Sequence, residues 1–306
     1  MRKILVIKLS ALGDLVLATG PFKAIRAYHA NDHITLLTTK AFAGFGRDCG
    51  AFDSVLVDSR PRWINPRGWL DLRKALQGGR FERVYDLQTN DRTKIYARLF
   101  GKDMPEWSGE RRGATLHVPK GWRDIPHAFD RHVAQLKVAG INDVPLPDVG
   151  WMKGDADRFD LPDRFALLVP STVLHRPQKR WPETHFAALA QALIERGITS
   201  VIIGTSADAS VTARVAKDAP GAVDLTGRTT LDDIAALARI ATLAVGNDTG
   251  PMHLIAASRC PTLVLFSSDS RPERSAPKGE FVDWIHVENL KTLTVARVID
   301  ALPAVF

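Results

Sequence analysis

Residues 243–253, LAVGNDTGPMH, decide the fold of this chain. An apolar run ends in a polar turn that passes directly into a second apolar run, so the segment predicts a strand followed at once by a helix. Pro251 is expected at the first helical position, where proline lacks an N–H that would have no helical partner anyway. This order of strand, turn and helix is typical of α/β proteins with parallel sheets.

The same turn has the chemistry of a phosphate site. Free N–H groups at a helix start and the positive end of the helix dipole favour an anion. Asp248 and Thr249 offer short oxygen ligands, and Gly250 leaves room for a close ligand. His253 lies one turn further along the same helix face. Capping of the helix by Asp248 or Thr249 is the simpler alternative, and the turn alone does not decide between them.

The bulk composition is that of a globular protein with room for two domains. The 306 residues include 45% hydrophobic and 25% charged residues, which argues against disorder. Lys and Arg number 41 against 34 Asp and Glu, and the resulting formal charge of +7 suits an anionic partner. Charge alone does not choose among a nucleotide, a nucleic acid and an acidic lipid.

The two cysteines, Cys49 and Cys260, are too few and too far apart for a metal cluster or a disulfide framework. This usage favours a reducing, cytosolic compartment. The first apolar run is too short for a signal core, and no apolar run reaches the length that spans a bilayer. Any membrane contact is therefore expected to be peripheral.

Two series of alternating strands and helices are predicted, separated by a linker at residues 142–162 that is rich in Pro, Asp and Gly. The first series has strands at 3–9, 33–39, 54–58 and 83–87, and helices at 15–28, 69–76, 92–100 and 128–139. The second has strands at 165–169, 200–204, 222–225, 243–245 and 262–266, and helices at 182–196, 207–217, 231–241, 251–258 and 292–302.

We therefore expect an α/β protein of two doubly wound, Rossmann-like domains, residues 1–150 and 151–306, with a last helix that packs on either domain. The carboxyl ends of both sheets are expected to line a shared cleft, the usual place for ligands in such folds. Neither the G-x-G-x-x-G fingerprint after the first strand nor a P-loop occurs, which disfavours nicotinamide chemistry and P-loop hydrolysis.

Three further segments carry candidate chemistry. Asp14 follows the first strand in the turn SALGD and is a candidate general base, with capping of the next helix as the alternative. In residues 171–183, STVLHRPQKRWPE, Lys179 or Arg180 suits a diphosphate, and a solvated basic loop packed on Trp181 is the alternative. Asp208, after the strand at 200–204, suits sugar hydroxyls or caps the next helix.

Residues 60–69, RPRWINPRGW, mix cations with two tryptophans in a loop that contains two prolines. Such a loop suits an acidic, partly lipidic acceptor. Binding of single-stranded nucleic acid and simple packing on the loop's own domain are the alternatives.

Taken in chain order, three motifs resemble glycosyltransferase family 9, the ADP-heptose:lipopolysaccharide heptosyltransferases and their relatives. They are residues 4–17 (ILVIKLSALGDLVL), 179–182 (KRWP) and 248–253 (DTGPMH), and the resemblance spans nearly the whole chain. It implies the GT-B fold, in which two Rossmann-like domains face each other across a cleft. It also implies inverting transfer of a heptose or related sugar from ADP-heptose to a lipopolysaccharide core or related glycolipid.

The resemblance implies residue roles by position. Asp14 resembles the catalytic base, and Lys179 the group that steadies the diphosphate leaving group. The positions that resemble donor contacts are Ser171, Thr172, Asp208, Asp248, Thr249, Gly250 and His253. The positions expected near the acceptor are Arg60, Arg62 and Trp63. Asp208 departs from the Glu that some members carry. No metal or other cofactor is expected, because cations and helix N–H groups would stabilise the leaving group.

The expected partners are a nucleotide sugar and an anionic glycolipid, with peripheral contact at the inner face of the cytoplasmic membrane. No nucleic-acid partner is expected, and the chain is expected to be a monomer. Two rival functions stay open. One is a sugar-nucleotide epimerase or hydrolase of the same fold, although the acid–base groups an epimerase would need beside the sugar are not evident. The other is a non-catalytic nucleotide-binding protein, which the presence of Asp14 disfavours.

Overall fold

The computed structural model describes residues 1–171 and 176–302, and it divides the chain into two compact units, Met1–Pro147 and Asp148–Phe306. Each unit has a six-stranded sheet whose neighbouring strands are all parallel. Parallel strands need a crossover between them, and helices supply most of these crossovers in both units.

The strands of the first unit are β1 (Lys3–Ile7), β2 (His33–Thr39), β3 (Ser54–Asp58), β4 (Arg83–Asp86), β5 (Glu106–Gly109) and β6 (Leu116–His117). Its helices are α1 (Leu12–Leu17), α2 (Thr19–Tyr28), α3 (Ala43–Asp48), α4 (Pro66–Gly78), α5 (Asp91–Leu99) and α6 (Ala128–Val138). The strand order β3-β2-β1-β4-β5-β6 is that of a Rossmann sheet.

The strands of the second unit are β7 (Phe165–Val169), β8 (Thr199–Ile202), β9 (Val223–Asp224), β10 (Leu243–Asn247), β11 (Thr262–Phe266) and β12 (Val282–His286). Its helices are α7 (Glu183–Ile194), α8 (Ala209–Asp218), α9 (Leu231–Ile240), α10 (Gly250–Ala257), α11 (Pro272–Ser275) and α12 (Val295–Asp300). The order β12-β11-β10-β7-β8-β9 repeats that of the first sheet, and α12 packs on α7.

Some predicted elements differ from those observed. The helix expected at residues 15–28 is two helices, α1 and α2, which meet at Ala18. Pro21 explains the break, because it has no N–H to donate to the carbonyl one turn earlier. Helix α10 begins at Gly250, so Pro251 is its second residue rather than its first. The sequence patterns missed α3, α11 and the strands β5, β6 and β12.

The central strands carry the two cores. Every residue of β7, β10 and β11 is buried, and so are the last four residues of β1. Parallel strands covered on both faces are apolar throughout, which explains the continuous apolar runs in the sequence. Gly246 allows close packing in the second core, since a β-carbon there would lie 2.5 Å from the Met252 Sδ and 2.8 Å from the Val169 Cβ.

A buried polar cluster lies beyond β1 in the first unit. The Lys8 Nζ donates to the Leu87 carbonyl at 3.0 Å and lies 3.4 Å from the His132 Nε2. Burial lowers the pKa of Lys8, and the carboxylates of Asp14 and Asp86 oppose that shift. Burial, reinforced by the charge of Lys8, holds the pKa of His132 well below its usual 6.5.

Asp86 completes this cluster at the end of β4. Its carboxylate accepts hydrogen bonds from the Thr93 hydroxyl at 2.7 Å and from the N–H groups of Gln88 and Thr89 at 3.1 and 2.9 Å. Burial raises the pKa of Asp86 to about 6 in spite of these donors. The carboxyl ends of β1 and β4 therefore lie over ionisable groups that are shielded from water.

The cluster predicts a specific pH dependence of stability. An unfolded chain protonates His132 as the pH falls through about 6.5, whereas the folded protein keeps it neutral, so stability is lost below that pH. This contribution has a limiting slope of about 1.4 kcal/mol per pH unit. His132→Gln keeps an acceptor for Lys8 and removes the titration. Urea unfolding between about pH 7.5 and 5.5 should therefore show a smaller loss of stability in the variant.

Asp86 titrates with the opposite sign, because its raised pKa favours the folded state as the pH falls. It is present in both proteins and cancels in the comparison. Stability curves for the parent and His132→Gln that run parallel across this range would contradict the prediction.

Candidate active site

The turn between β10 and α10 holds an ion pair. The Lys179 Nζ donates to the Asp248 Oδ2 at 2.6 Å, and the two side chains are only 12% and 11% exposed. Thr249 is extended at the helix start, and its side chain makes no capping hydrogen bond. The Asp248 carboxylate thus contacts a cation, and the Thr249 hydroxyl does not occupy the N–H groups that begin α10.

The segment that carries Lys179 is fixed by Asn247, the last residue of β10. The buried amide of Asn247 accepts from the Trp181 N–H at 2.9 Å and donates to the Pro170 carbonyl at 2.7 Å. The indole N–H of Trp181 donates to the Leu293 carbonyl at 2.8 Å. Asn247 therefore joins β10 to the end of β7 and to the Lys179 segment. The motifs of the sequence did not predict this role for Asn247, although a polar residue at the end of an apolar strand is a signal for it.

Other predicted donor residues surround the same strand ends. Ser171 is buried, and its Oγ has no hydrogen-bond partner among the described residues. His253 is buried within α10. Arg180, the alternative to Lys179, has its Nε and Nη2 atoms buried without a hydrogen-bond partner in the described part of the chain. Thr172 lies outside the described residues.

Asp208 has the geometry of a cap. Its Oδ2 accepts from the Thr205 N–H at 2.8 Å and from the Thr205 hydroxyl at 2.6 Å. The contact lies at the start of the short 3₁₀ segment Ser206–Asp208, directly before α8. The structure thus pairs Lys179 with Asp248 and pairs Asp208 with its own turn.

Asp14 lies in the first turn of α1 with its side chain exposed. Its Oδ2 accepts a hydrogen bond from the Ala11 N–H at 3.2 Å, which is the capping contact left open by the sequence. The buried Lys8 ammonium is close enough to interact electrostatically with this carboxylate. Asp14 therefore combines a helix-capping contact with an exposed carboxylate.

The predicted acceptor residues lie in the loop between β3 and α4. Arg60, Arg62 and Trp63 are all exposed, with Trp63 at 68%. Trp63 stacks on Trp69 with ring centroids 5.1 Å apart and planes 19° from parallel. The Arg60 N–H donates to the Asp58 Oδ1 at 2.7 Å. The loop therefore exposes cations and an aromatic ring to solvent, and the contacts with Trp69 and Asp58 hold it in place.

Within residues 1–171 and 176–302, no three His, Cys, Asp or Glu side chains are grouped so that they could hold a metal ion. Over the same residues, no helix has both the length and the apolar character that crossing a bilayer requires.

Comparison with known proteins identifies relatives for this architecture. The chain is 34% identical to lipooligosaccharide heptosyltransferase 2 of Haemophilus influenzae over 321 aligned residues, covering 90% of this chain and 86% of the relative. A glycosyltransferase family 9 structure from Veillonella parvula superimposes with a TM-score of 0.83 at 21% identity, covering 98% of this chain and 95% of that one.

The E. coli heptosyltransferase WaaC with ADP-2-deoxy-2-fluoro heptose superimposes with a TM-score of 0.75 at 21% identity, covering 97% of this chain and 98% of that chain. Together with the two repeated Rossmann sheets, these structural matches give the chain the GT-B fold. Residues 69–297 match glycosyltransferase family 9 (heptosyltransferase). The chain therefore belongs to glycosyltransferase family 9 and is a glycosyltransferase.

Proposed function

We propose that the enzyme transfers a heptose from ADP-heptose to a lipopolysaccharide core or related glycolipid by a single inverting displacement. The observation that carries this proposal is the Lys179–Asp248 ion pair at the start of α10. The chemistry named for the relatives supports the substrates: one is a lipooligosaccharide heptosyltransferase, and a solved structure holds an ADP-linked fluoroheptose.

The second unit is proposed to bind the donor. An ammonium group has three hydrogen-bond donors, and Lys179 gives one of them to Asp248, which leaves two for phosphate oxygens. The Gly250 N–H and the dipole of α10 favour an anion at the same helix start. Charge stabilisation of the departing diphosphate is then the largest catalytic contribution. The buried Ser171 Oγ is proposed as a further contact with the nucleotide sugar.

The first unit is proposed to supply the base. The acceptor hydroxyl oxygen attacks the anomeric carbon while the bond from that carbon to the diphosphate oxygen breaks. The hydroxyl proton passes to the Asp14 carboxylate, and the bonding electron pair leaves with ADP. Attack opposite the leaving group inverts the anomeric configuration. An exposed carboxylate with one oxygen held by the Ala11 N–H supports this role.

The acceptor is proposed to be anionic and lipid-linked. Arg60 and Arg62 suit phosphate or carboxylate groups of such an acceptor, and Trp63 suits its sugar or lipid portion. We infer that the enzyme works as a monomer at the inner face of the cytoplasmic membrane, in peripheral contact with it. It needs no cofactor beyond the nucleotide sugar and binds no nucleic acid in this role.

The function is tested by incubation with ADP-heptose and other sugar nucleotides, with and without heptose-deficient lipopolysaccharide. We expect ADP release that depends on the acceptor, a glycolipid heavier by one heptose, and an inverted linkage by NMR. The activity should survive a chelator. ADP release without acceptor would instead favour the hydrolase, and an isomerised nucleotide sugar would favour the epimerase. No reaction with any donor would overturn the transferase proposal.

Asp14→Asn tests the base. An amide oxygen still accepts from the Ala11 N–H but takes up no proton, so kcat should fall at least about a hundredfold while ADP affinity stays nearly unchanged. Asp91→Asn is the matched control, because Asp91 is an exposed carboxylate in the first turn of α5. That variant should keep parental activity. Full activity in Asp14→Asn would remove Asp14 from the mechanism.

A further inference from the structure

Three large apolar side chains are exposed close together at the start of α4. Trp63, Ile64 and Leu70 are 68%, 84% and 55% exposed. They fall within eight consecutive residues, whereas single exposed apolar residues are ordinary on protein surfaces. A concentration of this kind indicates a surface that contacts something apolar.

The exposure of Trp63 is fixed by the structure beneath it. Trp63 stacks on Trp69, whose indole N–H donates to the Arg62 carbonyl at 3.2 Å. The Arg92 guanidinium lies 5.1 Å from the Trp69 ring centroid and donates to the Pro61 carbonyl at 3.0 Å. The loop is thus held in a shape that keeps Trp63 in solvent.

Exposed cations surround these apolar side chains. On α4, Arg67, Leu70, Arg73 and Lys74 follow helical spacing and share one exposed face. Residues 60–74 contain five exposed cations, and none of them forms an ion pair with another described residue. They are Arg60, Arg62, Arg67, Arg73 and Lys74. We call these five cations, with Trp63, Ile64 and Leu70, the basic apolar surface.

We propose that the basic apolar surface docks on an anionic lipid bilayer. Trp63 and Ile64 would enter the boundary between headgroups and acyl chains, where amphipathic aromatic rings are favoured. The cations would contact lipid phosphates, which attract unpaired Arg and Lys near a membrane. The inference rests on the membrane contact in the proposed function and gives that contact a location.

A single-stranded nucleic acid fits this surface less well. Bases bind by stacking on open aromatic faces, but one face of Trp63 is covered by Trp69. Ile64 and Leu70 are aliphatic and offer no ring for stacking. Their exposure is explained by an apolar partner, and the bilayer combines apolar and anionic chemistry in one place.

Flotation of the full chain with lipid vesicles tests the proposal. We expect binding to phosphatidylcholine vesicles that contain one quarter phosphatidylglycerol, and little binding to pure phosphatidylcholine. Ile64→Ser combined with Leu70→Ser should weaken that binding at least about tenfold, because it removes apolar contacts with the acyl region. Arg67→Gln combined with Arg73→Gln should weaken binding and reduce its dependence on salt.

The matched control is Ile240→Ser, which alters a 56% exposed isoleucine at the end of α9 and should leave vesicle binding unchanged. Transfer to a delipidated, water-soluble acceptor should be unaffected by Ile64→Ser with Leu70→Ser, whereas transfer to acceptor in anionic vesicles should fall. Vesicle binding is measured without a nucleotide sugar, so this result can be interpreted even if the transferase proposal fails.

Two outcomes would overturn the docking proposal. One is equal vesicle binding by the parent and the Ile64→Ser, Leu70→Ser variant. The other is binding of a single-stranded oligonucleotide that is tighter than vesicle binding and that these substitutions weaken more than they weaken vesicle binding.

Discussion

The Asn247 side chain joins three parts of the second unit that are distant in the chain. Its amide satisfies the Trp181 N–H and the Pro170 carbonyl, and it is itself fully buried. Leaving either backbone group unpaired in the interior would cost about 1–3 kcal/mol. The same contact fixes the backbone two residues from Lys179, next to the turn that carries Asp248. The ion pair that we propose as the centre of donor binding depends on this support.

Local sequence predicts the elements that are buried on both faces. The predicted bounds of β2, β7 and β11 coincide with the observed ones, because an apolar or β-branched run starts and stops where the strand does. The predicted bounds of β3 coincide as well, although it is an edge strand whose residues are mostly half-buried. The missed strands have other patterns. β6 has only two residues, and β12 is an edge strand in which exposed Asp283 and Trp284 interrupt the apolar pattern. Their strand character comes from pairing with a neighbour rather than from their own residues.

The candidate site also has parts that local sequence predicts and parts that it does not. The turn at residues 248–253 could be predicted because all of its parts are adjacent in sequence. The contacts of Asn247 with Trp181 and of Lys8 with His132 join residues 66 and 124 positions apart, and no local pattern signals them. Only the structure could decide which of the candidate side chains cap a helix. Asp14 and Asp208 do make capping contacts, whereas the Thr249 side chain does not.

The central claim is that Lys179 holds the donor diphosphate. Calorimetric titration with ADP and with adenosine, on the parent and on Lys179→Met, tests it most directly. Loss of a charge-assisted contact should weaken ADP binding at least about tenfold and leave adenosine binding unchanged. Equal ADP affinity in the two proteins, or an equal loss for ADP and adenosine, would contradict the account.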